Sequence, residues 1–221
     1  GLLNNSMDIE LICVIVNFGL GSKIIKTAKQ CGVTGATIAI GKGTVDNRVL
    51  DYLGLSNIRK EVVIMVAEKN TAYQALETIS KKFMFNKPHH GIAFTTSINR
   101  VLGANRLACP VNNIEREVTG HMYHAITTIV DRGKAEDVID AATKAGSKGG
   151  TIINARGSGI HETSKLFSMD IEPEKEIVII LSEVESTEKI VSSIRSHLKI
   201  DEPGNGIIFI QDVNKTYGIY R

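Results

Sequence analysis

The chain has 221 residues, 43% of them hydrophobic and 23% charged, the balance of a folded protein long enough for one or two domains with a buried core. Its formal charge of +2 is too small to argue for a nucleic-acid or membrane partner, and no apolar run approaches the ~20 residues that cross a bilayer. The three cysteines Cys13, Cys31 and Cys109 are odd in number and far apart, which fits free thiols in a reducing cytoplasm rather than a disulfide framework or zinc site.

From the N-terminal side, Asp8 and Glu10 interrupt the opening stretch, against a secretory leader. Leu11–Val16 reads as a strand, Ser22–Gln30 as a helix and Thr37–Ile40 as a second strand. A polar loop follows. Val62–Ala67 is a continuous apolar strand, Thr71–Lys82 a second helix and Ile92–Thr96 a fourth strand. Residues 104–123, with Cys109-Pro110 and the charged Glu115-Arg116-Glu117, read as a linker. The order then recurs: strand Ala125–Val130, helix Ala135–Lys144 closed by Gly146, strand Gly150–Ala155 and a polar loop to about Lys175. Ile177–Leu181 is the third strand. A helix over Glu188–Leu198 follows, with Ser186 or Thr187 as its expected cap, and Ile207–Gln211 is the last strand.

The recurrence is visible residue by residue. A constant offset of 114 pairs Ile15-Val16 with Ile129-Val130, Gly19 with Gly133, Gly32 with Gly146 and Thr37-Ile38 with Thr151-Ile152. After one inserted residue the offset is 115. It pairs Glu61 with Glu176, Glu68 with Glu183, Pro88 with Pro203, Gly91-Ile92 with Gly206-Ile207, and Asn99 and Gly103 with Asn214 and Gly218. One indel over some 95 residues identifies a duplication. The expected organisation is a first repeat over 1–103, a linker over 104–123 and a second repeat over 124–221. Each repeat is β-α-β-β-α-β, the ferredoxin-like unit, so the expected class is α+β with two tandem antiparallel sheets. Helices on one face leave the other to be covered by sheet-to-sheet association.

Two segments are more particular: Gly149-Gly150-Thr151-Ile152-Ile153-Asn154-Ala155-Arg156-Gly157-Ser158-Gly159, and Asp201-Glu202-Pro203-Gly204-Asn205-Gly206-Ile207-Ile208-Phe209. With the element order, they resemble the PII family of nitrogen regulatory proteins, over nearly all of both copies and more closely in the second. The resemblance implies a cytoplasmic signalling protein that is not an enzyme. It also implies a homo-oligomer, a trimer in the first instance. Such proteins bind ATP or ADP, often with 2-oxoglutarate, and grip target proteins through the mobile T-loop.

On that resemblance the nucleotide site falls on Thr151, Arg156, Gly157, Ser158, Gly159, Lys199, Gly204, Asn205 and Gly206, and on Thr37, Lys42 and Gly43 in the first copy. The physical case is backbone: glycines admit positive φ, and their N–H groups can form a nest around phosphate. Gly204-Asn205-Gly206 is equally a good tight turn into an antiparallel strand. The sequence also departs from the family. Ile207 and Ile92 stand where a basic residue is expected, and Lys215 and Arg221 are the remaining substitutes for arginines after the fourth strand. The first copy's Asn86–Gly91 lacks the first loop glycine, and both T-loops are short, with Tyr52 in the first. Residue types leave two other classes open: an assembly or scaffold protein with decayed ligand sites, and a CutA-like metal-handling protein. His121-Met122-Tyr123-His124 would hold a metal only with a third ligand brought in by the fold.

Overall fold

The computed structural model describes residues 8–45, 57–98, 121–156, 164–166, 169–171 and 174–219. Fifteen elements follow one another: β1 (Ile9–Asn17), α1 (Gly21–Gln30), β2 (Ala36–Val45), β3 (Asn57–Glu68), α2 (Lys69–Lys82), β4 (Ile92–Ile98), β5 (Tyr123–Asp131), α3 (Ala135–Lys144), β6 (Gly149–Arg156), β7 (Ser164–Leu166), β8 (Met169–Ile171), β9 (Glu174–Glu183), α4 (Val184–His197), β10 (Ile207–Val213) and β11 (Lys215–Tyr217). The β-α-β-β-α-β order therefore occurs twice. A small β7–β8 hairpin lies inside the second copy's loop, and β11 follows its last strand.

The chain forms two compact units. One comprises residues 1–39, 60–121 and 212–221, the other 40–59 and 122–211. The first unit's strand order is β2–β3–β1–β4–β11. Here β1 pairs antiparallel with β3 (Val14 opposite Val63) and with β4 (Cys13 opposite Phe94). β11 extends the sheet beyond β4, with Thr216 opposite Phe94. The second unit's order is β10–β5–β9–β6, followed by the end of β2, where Gly43 lies opposite Thr151.

Each unit has its own core. Strand residues of one parity face the helices, as the two-residue period requires. In the first unit Ile12, Val14, Val16, Val63 and Met65 meet Ile24, Ala28, Leu76 and Ile79. In the second, Ile126, Val130, Ile152, Val178 and Ile180 meet Val138, Ile139, Ile190 and Ile194. The other face is not bare: Cys13 and Ile15 are only 5% and 6% exposed. Burial pushes the Cys13 thiol up to about 12, so it is an inert core group.

The helix α3 matches its expected span because every local signal agrees. It has an apolar stripe, Glu136 and Asp137 in the first turn, Lys144 in the last, and Gly146 at φ 99° beyond. The start of α4 differs from expectation. It begins at Val184, and Thr187 is a buried interior residue rather than a cap. The Thr187 hydroxyl is drawn inward instead, between His124 Nδ1 at 2.8 Å and Ser182 Oγ at 2.7 Å. In the first copy Glu68 is the N-cap of α2, and its carboxylate accepts from the Thr71 N–H. β2 runs on to Val45, where Gly41 lets it approach β6 closely. A Cβ on Gly41 would lie 2.7 Å from the Ile152 carbonyl oxygen.

Candidate functional site

The glycine-rich loop of the second copy begins where α4 ends. The Leu198 and Ile200 N–H groups still donate to Ile194 and Arg195 carbonyls, and Lys199 turns the chain through φ 51°. The Glu202 N–H donates to the Lys199 carbonyl at 3.0 Å and the Asn205 N–H to that of Glu202 at 3.3 Å. The Asn205 side-chain amide closes the loop by donating to the Lys199 carbonyl at 3.1 Å. Gly204 and Gly206 have φ 84° and 137°. At Gly206 a Cβ would stand 2.7 Å from the Ile129 carbonyl oxygen, so the loop lies on β5 through a position that only glycine fits. Outside, the Arg195 guanidinium meets both oxygens of Asp201 at 2.9 and 2.8 Å.

The first copy builds the same loop from different residues. Met84, His89 and Gly91 have φ 54°, 63° and 152°, and they are the repeat partners of Lys199, Gly204 and Gly206. The Phe85 N–H donates to the Ser80 carbonyl, and the Lys87 N–H to that of Met84. The missing glycine has therefore not changed the loop's course. His89 holds the left-handed conformation itself, and the Asn17 amide donates to the His89 carbonyl at 3.3 Å.

The remaining expected residues occupy two places. Thr151, Lys42 and Gly43 come together where β2 meets β6: Gly43 is opposite Thr151 and Lys42 opposite Ile152. Thr151 is buried, and the Lys42 ammonium lies 3.8 Å from Glu136. Thr44, which the sequence did not single out, fixes this junction. Its hydroxyl donates to the Gly150 carbonyl and accepts from the Gly150 N–H, both at 3.1 Å. Thr37, the repeat partner of Thr151, is exposed. Arg156 ends β6 opposite Glu174, at the same end of the sheet as Gly206 but with β5 and β9 between. At ~4.8 Å per strand spacing, their backbones are roughly 14 Å apart. Gly157, Ser158, Gly159 and Tyr52 lie outside the described residues.

Between those two points the sheet end is lined by charges. Glu174 pairs with Arg132, and Lys175 with Asp131 at 2.5 Å. Glu176 accepts from the N–H groups of Gly133 and Ala135 at the start of α3. In the first copy, Glu61 accepts likewise from Gly19 and Gly21. This carboxylate fills the place at a helix N-terminus where an anion would otherwise bind. The pair Glu61/Glu176 was visible in the repeat, but nothing local signalled its task. Where the second copy has Asp131–Lys175, the first has Asn17 and Lys60, joined at 2.7 Å. Burial without a carboxylate partner lowers the Lys60 pKa below its ordinary 10.5.

Among the described residues, no three histidine, cysteine or acidic side chains form a group that could hold a metal. His121 and His124 turn to different partners. His121 Nδ1 faces the Val213 carbonyl and its Nε2 lies 3.8 Å from Asp212, while His124 faces Thr187.

Comparison with known proteins places this arrangement. The family model for nitrogen regulatory protein P-II matches residues 123–221, the second copy. The nitrogen regulatory protein P-II 1 of Methanothermobacter thermautotrophicus is 32% identical over 94 residues, 40% of this chain and 81% of that protein. The chain belongs to the PII family. Similar solved structures include Arabidopsis thaliana PII bound to citrate, at TM-score 0.33 and 22% identity, covering 44% of this chain and 80% of that one. Another is the Bacillus subtilis GlnK–ATP complex, at TM-score 0.35 and 16% identity, covering 44% and 94%. Within this PII chain the family model falls on the copy that keeps both loop glycines and Lys199, and the first copy follows by the repeat.

Proposed function

We propose that the chain is a cytoplasmic PII-type signal-transduction protein. In this reading it senses a small effector, adenine nucleotides being the first class, regulates a partner protein through its loops, and works as a homo-oligomer, with a trimer favoured. It does no chemistry on its ligand. One observation carries the reading: the glycine-rich loop keeps its left-handed course in both copies, through His89 in the first and Gly204 in the second. A loop needed only as a turn has less reason to keep three positive-φ positions with different side chains. The second copy is the better binder in this proposal. It has Lys199 where the first has Met84, and a lysine at the loop supplies the charge-assisted hydrogen bonds that a polyphosphate needs. Thr151, Arg156, Gly157, Ser158, Gly159, Asn205 and Gly206 complete the proposed site of the second copy, and Thr37, Lys42 and Gly43 mark the first copy's own candidate site.

Isothermal titration calorimetry with ATP, ADP, AMP, cyclic nucleotides and 2-oxoglutarate tests it. Binding of at least one adenine ligand is expected. Lys199→Gln should weaken that binding by about tenfold, the scale of one charge-assisted hydrogen bond. No heat from any adenine ligand would remove the nucleotide from the proposal. It would leave the scaffold reading, which the first copy's Met84 and His89 favour.

A further inference from the structure

We propose that Lys60 of the first copy is a site of reversible carbon dioxide capture, its side-chain amine forming a carbamate. The inference goes beyond nucleotide binding and comes from comparing the two copies at one end of their sheets. In each, the last residue of that copy's first strand lies opposite a lysine: Asp131 opposite Lys175, and Asn17 opposite Lys60. Lys175 and Asp131 form an ion pair at 2.5 Å. Lys60 instead meets an amide oxygen, Asn17 Oδ1 at 2.7 Å, and among the described residues has no carboxylate partner. The adjacent Glu61 points to the other face, where it accepts from the Gly19 and Gly21 N–H groups. The Asn17 amide nitrogen donates to the His89 carbonyl at 3.3 Å, which keeps its oxygen turned to Lys60.

This exchange of carboxylate for amide decides what the lysine can do. A carboxylate favours the ammonium, which has no lone pair, whereas an amide oxygen accepts from the amine in either form. Lys60 is half-buried, and burial lowers its pKa below the ordinary 10.5, so a larger share of it carries a lone pair. That lone pair attacks the carbon of dissolved carbon dioxide. The new N–C bond displaces one π pair onto oxygen, and one N–H proton passes to water. The products are a carbamate and a proton, and the N–H that remains can still donate to Asn17. Carbon dioxide is the assigned electrophile because it is small enough for a half-buried amine and expels no leaving group. The surroundings suit the anion formed. Residues 78–98 hold Lys81, Lys82, Lys87, His89 and His90 and no acidic residue, while the matching loop of the second copy holds Asp201 and Glu202. Carbamate formation therefore replaces a positive charge by a negative one beside a basic loop, and makes the first copy responsive to dissolved carbon dioxide.

Chemical trapping with triethyloxonium ion tests this. The full chain is equilibrated with isotopically labelled carbon dioxide at mildly alkaline pH, alkylated, digested and read by mass spectrometry. Labelled ethyl carbamate is expected on Lys60 at roughly ten times the level on Lys175 in the same molecule, the ratio set by one pKa unit, and above that on the exposed Lys87. Asn17→Asp, which copies the second unit's pair, should lower the label on Lys60 by a similar factor, and Lys60→Arg should remove it. Label on Lys60 no greater than on Lys175 or on Lys87 would overturn the proposal. So would undiminished label in Asn17→Asp. Should that variant lose its circular-dichroism spectrum, the comparison of lysines within the wild-type chain decides alone. Adenine-nucleotide titration is a separate measurement, and neither result moves the other.

Discussion

At the scale of single residues, the repeat acts as an internal control, because the same backbone position appears twice with different chemistry. Asn17–Lys60 against Asp131–Lys175 is the cleanest case. The folded state holds Lys60 in a place that disfavours its charge, so the unfolded chain binds its proton more tightly. Stability linked to Lys60 therefore rises with pH from its folded pKa up to about 10.5 and is lowest below that window. Asn17→Asp should copy the second unit's ion pair. It is expected to raise the Lys60 pKa, followed by NMR of its side-chain methylene, and to flatten this alkaline rise. His89→Gly offers a second control. The left-handed region costs a side chain ~1–2 kcal/mol and glycine's greater loss of chain entropy takes back about 0.5–1, so a net gain of up to about 1.5 kcal/mol is expected in urea denaturation. Gly206→Ala should go the other way, by about 3 kcal/mol, since backbone strain is joined by contact with the Ile129 carbonyl. The buried Glu10 holds a polar cluster of the first unit together. Asn214 donates to both its oxygens, at 3.0 and 2.9 Å, and the Tyr73 hydroxyl to one at 3.0 Å. Asn214→Ala should cost about 1–3 kcal/mol in the same assay.

At the scale of elements, the sequence is informative wherever the determinants are local. Helix α3 carries its stripe, its charges and its terminating glycine within a dozen residues, and its ends were readable. The apolar strands β1, β3 and β9 are longer than their apolar runs, since most of the residues beyond those runs are polar and are held in the sheet by cross-strand pairing. Three features were not readable, each for a reason of distance or identity. β11 is too short to show a pattern, and its partner β4 is remote in sequence. Glu61 and Glu176 reach helix starts some forty residues back, leaving no nearby motif. The left-handed turn at His89 is hidden because no glycine marks it. The same reasoning covers the site. The loop over Lys199–Gly206 was legible from its glycines, while the meeting of Thr151 with Lys42 and Gly43 depends on the β2–β6 register. Thr44 belongs to that register too. Thr44→Val should remove two hydrogen bonds to Gly150 and cost about 2 kcal/mol, seen as faster exchange of the Gly150 amide.

At the scale of the molecule, sequence repeats and compact units are different divisions of the same chain. The repeats are contiguous, whereas each unit draws on separate stretches, with residues 40–59 counted in the second and 212–221 in the first. Removal of residues 214–221 should therefore disturb the unit that contains Ile9 more than the unit that precedes the cut in sequence. Hydrogen exchange reads this directly: β4 amides should lose protection and β9 amides should keep theirs. The pairing of Asn214 with Glu10 spans 204 residues, and this has a consequence during synthesis. The first repeat leaves the ribosome with its own strands complete but with the outer edge of β4 bare and Glu10 lacking its amide partner. It must wait in that state until the second repeat has been translated. The growing chain thus carries a vacancy that only its own later residues fill, and neighbouring nascent chains on one message would compete to fill it first.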